Sequence, residues 1–328
     1  MRRRDTILAL LALGAAAGPT LSVAQTTKAP RRIATLDDAN EGSRARGWVA
    51  FRKRLQDLGY VEGKGYVIEA RWARAQIERL PTLAAELVAL KPDVIVTAST
   101  TAALAAKKAT SSIPIVYLGS ADPVKAGLVK SFARPEGNLT GTSIVAIDVS
   151  GKWLELMREI APKARSFAFL TYTDSASAMQ IYRELQEKAK PLGVAVQALD
   201  GRNRGNVERA FDIMARERVD GLIVSAAGTV VDQRQQIVEA AARQRIPAVY
   251  ARRDFTDAGG LMFYGADYDA LFPRGADYVN RILQGAKPSE LPFEQASTFK
   301  LVLNLKAAKA LGLKIPEAVR ARVDEAIQ

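Results

Sequence analysis

Ile113-Pro114-Ile115-Val116-Tyr117 and Ile246-Pro247-Ala248-Val249-Tyr250 are two versions of one pattern: Ile-Pro, then a short apolar run closed by tyrosine. The proline biases the residue before it away from helix. An apolar run of this length bounded by turn residues reads as a strand buried on both faces, as in a parallel sheet. Two further echoes precede the pair, in the same order and at nearly the same offset. Leu58-Gly59 returns as Leu192-Gly193, and Asp93-Val94-Ile95-Val96-Thr97 returns in role as Asp220-Gly221-Leu222-Ile223-Val224-Ser225. Each half of the chain carries one run of helix, glycine stop, buried strand and Ser/Thr exit.

The same reading, carried outward, places strands at 33–36, 66–70, 94–97, 115–117, 167–170, 194–199, 222–225 and 248–250. Helices lie between them. Trp48, Phe51, Leu55 and Leu58 keep three- and four-residue spacing, as do Leu80, Leu83, Leu87 and Leu90, so each set forms one apolar stripe. Gly59 and Gly193 stop such helices, because glycine enters the left-handed conformation without a Cβ clash. Trp48 and Trp153 fall on stripes and are read as core rather than as ligand-stacking groups. Strands alternating with helices define an α/β fold of two doubly wound parallel-sheet lobes. In open parallel sheets ligands bind beyond the carboxyl ends of the strands, so two facing lobes would share one cleft.

Composition narrows the function. A chain of 328 residues exceeds what one core usually holds, which agrees with two lobes. Cysteine and histidine are absent. That removes thiolate nucleophiles, zinc–thiolate sites and the commonest general base and metal ligand, and no P-loop pattern occurs. The expectation is a binding protein with no catalytic residue, metal or cofactor. The formal charge of +12 is dispersed and no helix-turn-helix or RNP-like segment precedes the first strand, so no nucleic-acid partner is expected. Arg2-Arg3-Arg4, the apolar stretch 7–17 and the small residues Ser22 and Ala24 read as a secretory signal over 1–24, by the general or the twin-arginine route. That apolar stretch is shorter than the roughly 20 residues of a spanning helix. A periplasmic protein is expected.

Six further segments carry a family resemblance: 58–63 (LGYVEG), 114–117 (PIVY), 121–129 (ADPVKAGLV), 137–141 (GNLTG), 264–267 (YGAD) and 301–312 (LVLNLKAAKALG). Together, in this order over nearly the whole mature chain, they resemble the tryptophan/tyrosine-type substrate-binding proteins of ABC transporters. That resemblance implies a type I periplasmic binding protein fold, in which two hinged lobes close on a small ligand and dock on a membrane permease. It also implies three crossings between lobes, placed near 141–144, 265–267 and 294–298. One lobe would hold 31–143 and 268–293, the other 144–267 and 294–328. A monomer is expected. The leading ligand is an aromatic or branched amino acid, or a related aromatic carboxylate, and the alternative function is a periplasmic ligand-sensing partner of a membrane sensor.

Candidate ligand contacts lie where strands exit. Asp38 follows the first strand, where it or Asn40 could equally cap a helix. Ser99, Thr100 and Thr101 open a helix, a setting that suits a carboxylate as well as ordinary capping. Asp122 could accept from a ligand ammonium or hold its own turn. In the second half Tyr172, Thr173 and Ser175 form a hydroxyl-dense exit, Ser225 ends a strand, and Asp267 lies at a crossing. Tyr172 or Tyr264 could stack on an aromatic ligand. Arg252 could meet an anion or pair with Asp254.

Overall fold

The computed structural model describes residues 29–119, 121–144, 149–295 and 299–328; the expected export signal lies outside them. The chain begins with β1 (Arg31–Asp37), α1 (Ala45–Asp57), β2 (Tyr66–Trp72), α2 (Leu80–Ala89), β3 (Val94–Thr97), α3 (Thr100–Ala109), β4 (Ile115–Gly119) and β5 (Leu139–Ser143). It continues with α4 (Val149–Ile160), β6 (Ser166–Thr171), α5 (Ala176–Ala189), β7 (Ala195–Asp200), α6 (Arg204–Glu217), β8 (Gly221–Val224), α7 (Gly228–Val231), α8 (Arg234–Arg243), β9 (Ala248–Tyr250), α9 (Arg253–Asp257) and β10 (Met262–Ala266). The remainder is α10 (Leu271–Leu283), β11 (Glu294–Gln295), β12 (Phe299–Asn304), α11 (Leu305–Ala310), α12 (Glu317–Arg320) and β13 (Glu325–Ile327).

Two sheets result, ordered β11-β5-β4-β3-β1-β2 and β13-β12-β10-β9-β8-β6-β7. Their cores are the same five-strand arrangement: β2-β1-β3-β4-β5 corresponds to β7-β6-β8-β9-β10, all parallel. The repeat read from the sequence is therefore a repeat of topology. Among the described residues the antiparallel pairing is that of β12 on β10.

Each sheet is buried on both faces because successive side chains alternate sides. In the first lobe Ala34, Leu36, Ile95 and Ile115 meet α2 and α3, while Ile33, Val94, Val96 and Val116 meet α1 and α10. The stripe on α1 does what its spacing predicts: Trp48, Phe51 and Leu55 are buried, and Leu58 is half-buried at the helix end. Burying a side chain such as Phe51 contributes roughly 1.5–3 kcal/mol. Gly59 and Gly193 adopt φ of +91° and +66°, the left-handed stop expected of them. In the second lobe Phe167, Phe169, Ile223 and Val249 face α4 and α5, and Leu170, Leu222 and Val224 face α6 and α8.

The chain passes between sheets after β5, after β10 and after β11. One boundary differs from the sequence expectation. Glu294 and Gln295, assigned there to the second lobe, pair in parallel with Thr142 and Ser143 of the first sheet. The backbone of this short segment completes the sheet edge before the chain crosses. No helix among the described residues is long and apolar enough to cross a membrane.

Candidate ligand-binding cleft

A sheet ordered 2-1-3-4-5 opens a crevice where the chain reverses its direction of winding, between its first and third strands. Both lobes have this crevice, and the two face one another. From the first lobe β1 delivers Asp37 and Asp38, and β3 delivers Ser99 at the start of α3. From the second, β6 delivers Thr171 and Tyr172, and β8 delivers Ser225. Between them lies a cavity of about 200 Å³ lined by both lobes.

The first-lobe wall is charged and tightly bonded. Asp37 is fully buried; it pairs with Arg44 and accepts from the backbone N–H of Ala39 at 3.0 Å. Burial pushes its carboxyl up to about 7, against the pull of Arg44. Arg44 itself is only 3% exposed. Burial opposes its charge, but Asp37 and Asp38 outweigh that and raise it. Asp38 Oδ2 accepts from Thr101 Oγ1 at 2.7 Å, while Oδ1 has Arg44 Nη2 at 3.6 Å. Ser99 caps α3 by accepting from Ala102 N at 3.1 Å, and Thr100 shares a 2.9 Å hydrogen bond with the buried Tyr117 hydroxyl. Asp122 Oδ1 accepts from Val124 N and Lys125 N at 2.8 and 3.0 Å, so its turn role is realised while it lines the cavity.

The second-lobe wall is hydroxylic, aromatic and small. Ser175 caps α5 by accepting from Ala178 N at 3.4 Å, and Ser225 accepts from Ala227 N at 3.4 Å. The guanidinium of Arg202 stacks 4.6 Å from the centroid of Tyr172, fixing that ring at the cavity. Thr173 and Asp267 are not among the lining residues. Thr173 donates to Asp200 Oδ2 at 3.2 Å, and Asp267 Oδ1 accepts from Asp269 N at 3.2 Å and Ala270 N at 3.3 Å. Arg252 forms the ion pair with Asp254, at 2.7 Å.

Several lining residues escaped the sequence reading. Arg44 had no signal beyond a basic residue in a helical turn. Tyr268 enters from the segment after β10 and donates to the carbonyls of Ala98 and Leu118 at 2.7 and 3.0 Å. Trp153, read as core, belongs to the second-lobe core and also lines the cavity, with Nε1 donating to Tyr264 O at 2.8 Å. Gly228 opens α7 directly against the first lobe: a Cβ there would lie 2.4 Å from Arg44 Nη2 and 2.8 Å from Ala39 Cβ.

The lobes also touch along the rim. Asp232, just after α7, accepts from Asn40 N at 3.1 Å, Asn40 Nδ2 at 2.7 Å and the Ser43 hydroxyl. Burial raises the Asp232 carboxyl. Lys125 reaches Glu184 at 3.4 Å, and the exposed Arg46 reaches Asp257 at 2.9 Å.

Two parallel-sheet α/β lobes crossed by three chain segments, with a shared cleft at their strand ends, define a solute-binding protein of the type I periplasmic binding fold. Residues 40–327 match the family described as ABC transporter substrate binding protein, and the chain belongs to it. It is accordingly a binding protein and not an enzyme. It is similar to the tyrosine-binding protein of Clostridioides difficile (strain R20291), with 28% identity over 281 residues, 85% of this chain and 78% of that one. Its fold is similar to that of an ABC domain in complex with L-Trp from Streptococcus pneumonia, with a TM-score of 0.83 at 24% identity over 91% of this chain and all of that chain (100%). A ligand-free, open substrate-binding protein with adhesive properties from Clostridium difficile gives a TM-score of 0.62 at 26% identity, over 91% of this chain and 99% of that one.

Proposed function

We propose that this chain is a periplasmic receptor that captures an aromatic or branched amino acid, or a related aromatic carboxylate, by hinge closure and delivers it to the permease of an ABC importer. The observation that carries the reading is the cleft itself. Its polar exits come from both lobes, it is flanked by the capped N-termini of α3 and α5, and its aromatic groups Trp153, Tyr172 and Tyr268 surround a volume of amino-acid size. First-turn N–H groups of α3 have no intrahelical acceptor and suit a carboxylate. The tyrosine-binding relative supports the ligand class, and the export signal read at 1–24 supports the compartment. Among the candidate contacts, Asp38, Ser99, Thr100, Thr101, Asp122, Tyr172, Ser175 and Ser225 line the cleft and are proposed to meet the ligand or to hold the groups that do.

A thermal-shift screen of the chain from Gln25 onward against amino acids, aromatic acids and short-chain acids tests this. Ligand at one hundred times its Kd stabilises the folded state by about 2.7 kcal/mol. For a chain of this size that is a rise of roughly 5 °C in Tm. A rise confined to one chemical class, lost on replacing Ser99 to Thr101 by alanine, is the expected result. A well-folded sample that no compound stabilises would defeat the proposed ligand class.

A further inference from the structure

A serine hydroxyl carries one hydrogen, and at the rim Ser43 meets two oxygens that could accept it. Ser43 Oγ donates to Asn40 O at 2.7 Å and also stands within hydrogen-bond distance of Asp232 Oδ1, across the interface between the lobes. Ser43 is 4% exposed, a setting in which an acceptor left facing an acceptor costs free energy. The other carboxyl oxygen is well served: Asp232 Oδ2 accepts from Asn40 N at 3.1 Å and Asn40 Nδ2 at 2.7 Å. As an ion, Asp232 divides the single Ser43 hydrogen between Asn40 O and its own Oδ1. As an acid it does not. Protonated on Oδ1, Asp232 donates to Ser43 Oγ, Ser43 donates onward to Asn40 O, and Oδ2 keeps both N–H donors.

Charge points the same way. The cation that acts on Asp232 is Arg44, from the first lobe, but Asp37 and Asp38 already lie on that guanidinium. Glu41 belongs to the same turn as Ser43 and Arg44. On the second-lobe side Arg234 is turned to Val231 O at 3.4 Å. Where the lobes touch, three carboxyl groups thus share one guanidinium, an arrangement that favours a neutral acid. Burial accordingly raises the half-buried Asp232 carboxyl despite its donors and Arg44.

We propose that the lobes close with a proton at this contact: Asp232 becomes a carboxylic acid as it meets Asn40 and Ser43, so ligand capture is coupled to proton uptake. This rests on the hinge closure of the receptor reading above and adds a regulator to it, at residues outside the cavity lining. With the lobes apart Asp232 stands in water at its ordinary value of 3.8; closure raises it. The closed state therefore holds the proton more tightly. Its contribution to capture is complete below about pH 4 and is lost as pH rises through the closed-state value.

The test is calorimetric titration of the mature chain with tyrosine, tryptophan, phenylalanine and leucine between pH 4.5 and pH 8, in buffers of unlike ionisation heat. The amino acid that binds should take up as much as one proton in the acid part of this range, and its affinity should fall by up to about tenfold per pH unit as pH rises. In Asp232→Asn the side-chain amide N–H stands in for the acid proton toward Ser43. Uptake at this contact should vanish there, and the affinity at pH 8 should approach the acid value of the parent. Asp37→Asn should leave the uptake in place. Binding without proton uptake, or an uptake that survives Asp232→Asn, overturns the inference and leaves the receptor reading standing. Silence from all four amino acids overturns the ligand reading and this inference together.

Discussion

On the first lobe's wall the strand exits carry Asp37 and Asp38, with Arg44 laid against both; at the corresponding exits of the second lobe stand Thr171, Ser225 and Gly228. One topology thus carries two chemistries. The first wall fixes its charges by bonding them to one another and to Thr101, so its polar geometry is set before any ligand arrives. The second is neutral and small at the same places, which lets it seat on the first without burying a further charge. Desolvating an unpaired charge costs several kcal/mol, so dividing the labour this way would keep the proposed closure inexpensive. At the rim the second lobe's Asp232 meets neutral donors on Asn40 and Ser43, while Glu184 and Asp257 meet Lys125 and Arg46 of the first lobe.

The strongest way to break this contrast is to roughen the smooth wall. Gly228→Val places carbon where Arg44 and Ala39 already lie. The lobes should then fail to seat, and calorimetry should show affinity reduced by at least about a hundredfold, roughly 2.7 kcal/mol. Scattering should report an expanded particle with and without ligand. Wild-type affinity in this variant would mean that the two walls do not meet during binding.

A smaller loss is expected at the rim. Asp232→Ala removes the carboxylate that holds Asn40 and Ser43, hydrogen bonds to a charged group worth about 1.5–3 kcal/mol. Because Asp232 is outside the cavity lining, the loss should appear as a reduced closed population. Apparent affinity should drop about tenfold to a hundredfold, with the ranking of ligands unchanged. A changed ranking would place Asp232 in recognition rather than in closure.

The smallest effect sharpens the charged side. Asp37 has its carboxyl raised to about 7 by burial, from an ordinary 3.8. The native state therefore holds this proton more tightly than the unfolded chain. Its stabilising contribution is complete below about pH 4 and is lost as pH rises through about 7. Asp37→Asn, which does not titrate, should flatten the fall in Tm between pH 5 and pH 8 relative to the parent. An unaltered slope would show that Asp37 does not govern it.

Much of this architecture was legible because buried parallel strands are apolar and sit between turn residues, as at Val94–Thr97 and Ala248–Tyr250. β5 escaped that reading. Leu139-Thr140-Gly141-Thr142-Ser143 is buried at every position yet nearly devoid of apolar side chains. It is held instead by backbone pairing on both edges and by Thr140 Oγ1 donating to Leu291 O at 2.6 Å. Strand-exit serines and threonines of the cleft were readable from their position before helices. Arg44 and Tyr268 were not, because what qualifies them is burial and a chain crossing, neither of which leaves a local mark. Trp153 shows a different limit: its place on an apolar stripe correctly gives a core residue, but such a residue can turn one edge to the core and another to the cavity.

Tyr268 has one more consequence. Its hydroxyl, with one hydrogen shared between the carbonyls of Ala98 and Leu118, fastens it to the first lobe, and the guanidinium of Arg252, from the second, lies 4.3 Å from its ring centroid. The pull of a ring face on a cation has no single bond axis and acts over about 6 Å, so Arg252 can slide across the face with little change in energy. In the proposed hinge closure, this contact next to the crossing after β10 would act as a plain bearing, a journal fixed to one plate and a sleeve borne on the other, with the torque set by what lies farther from the axle.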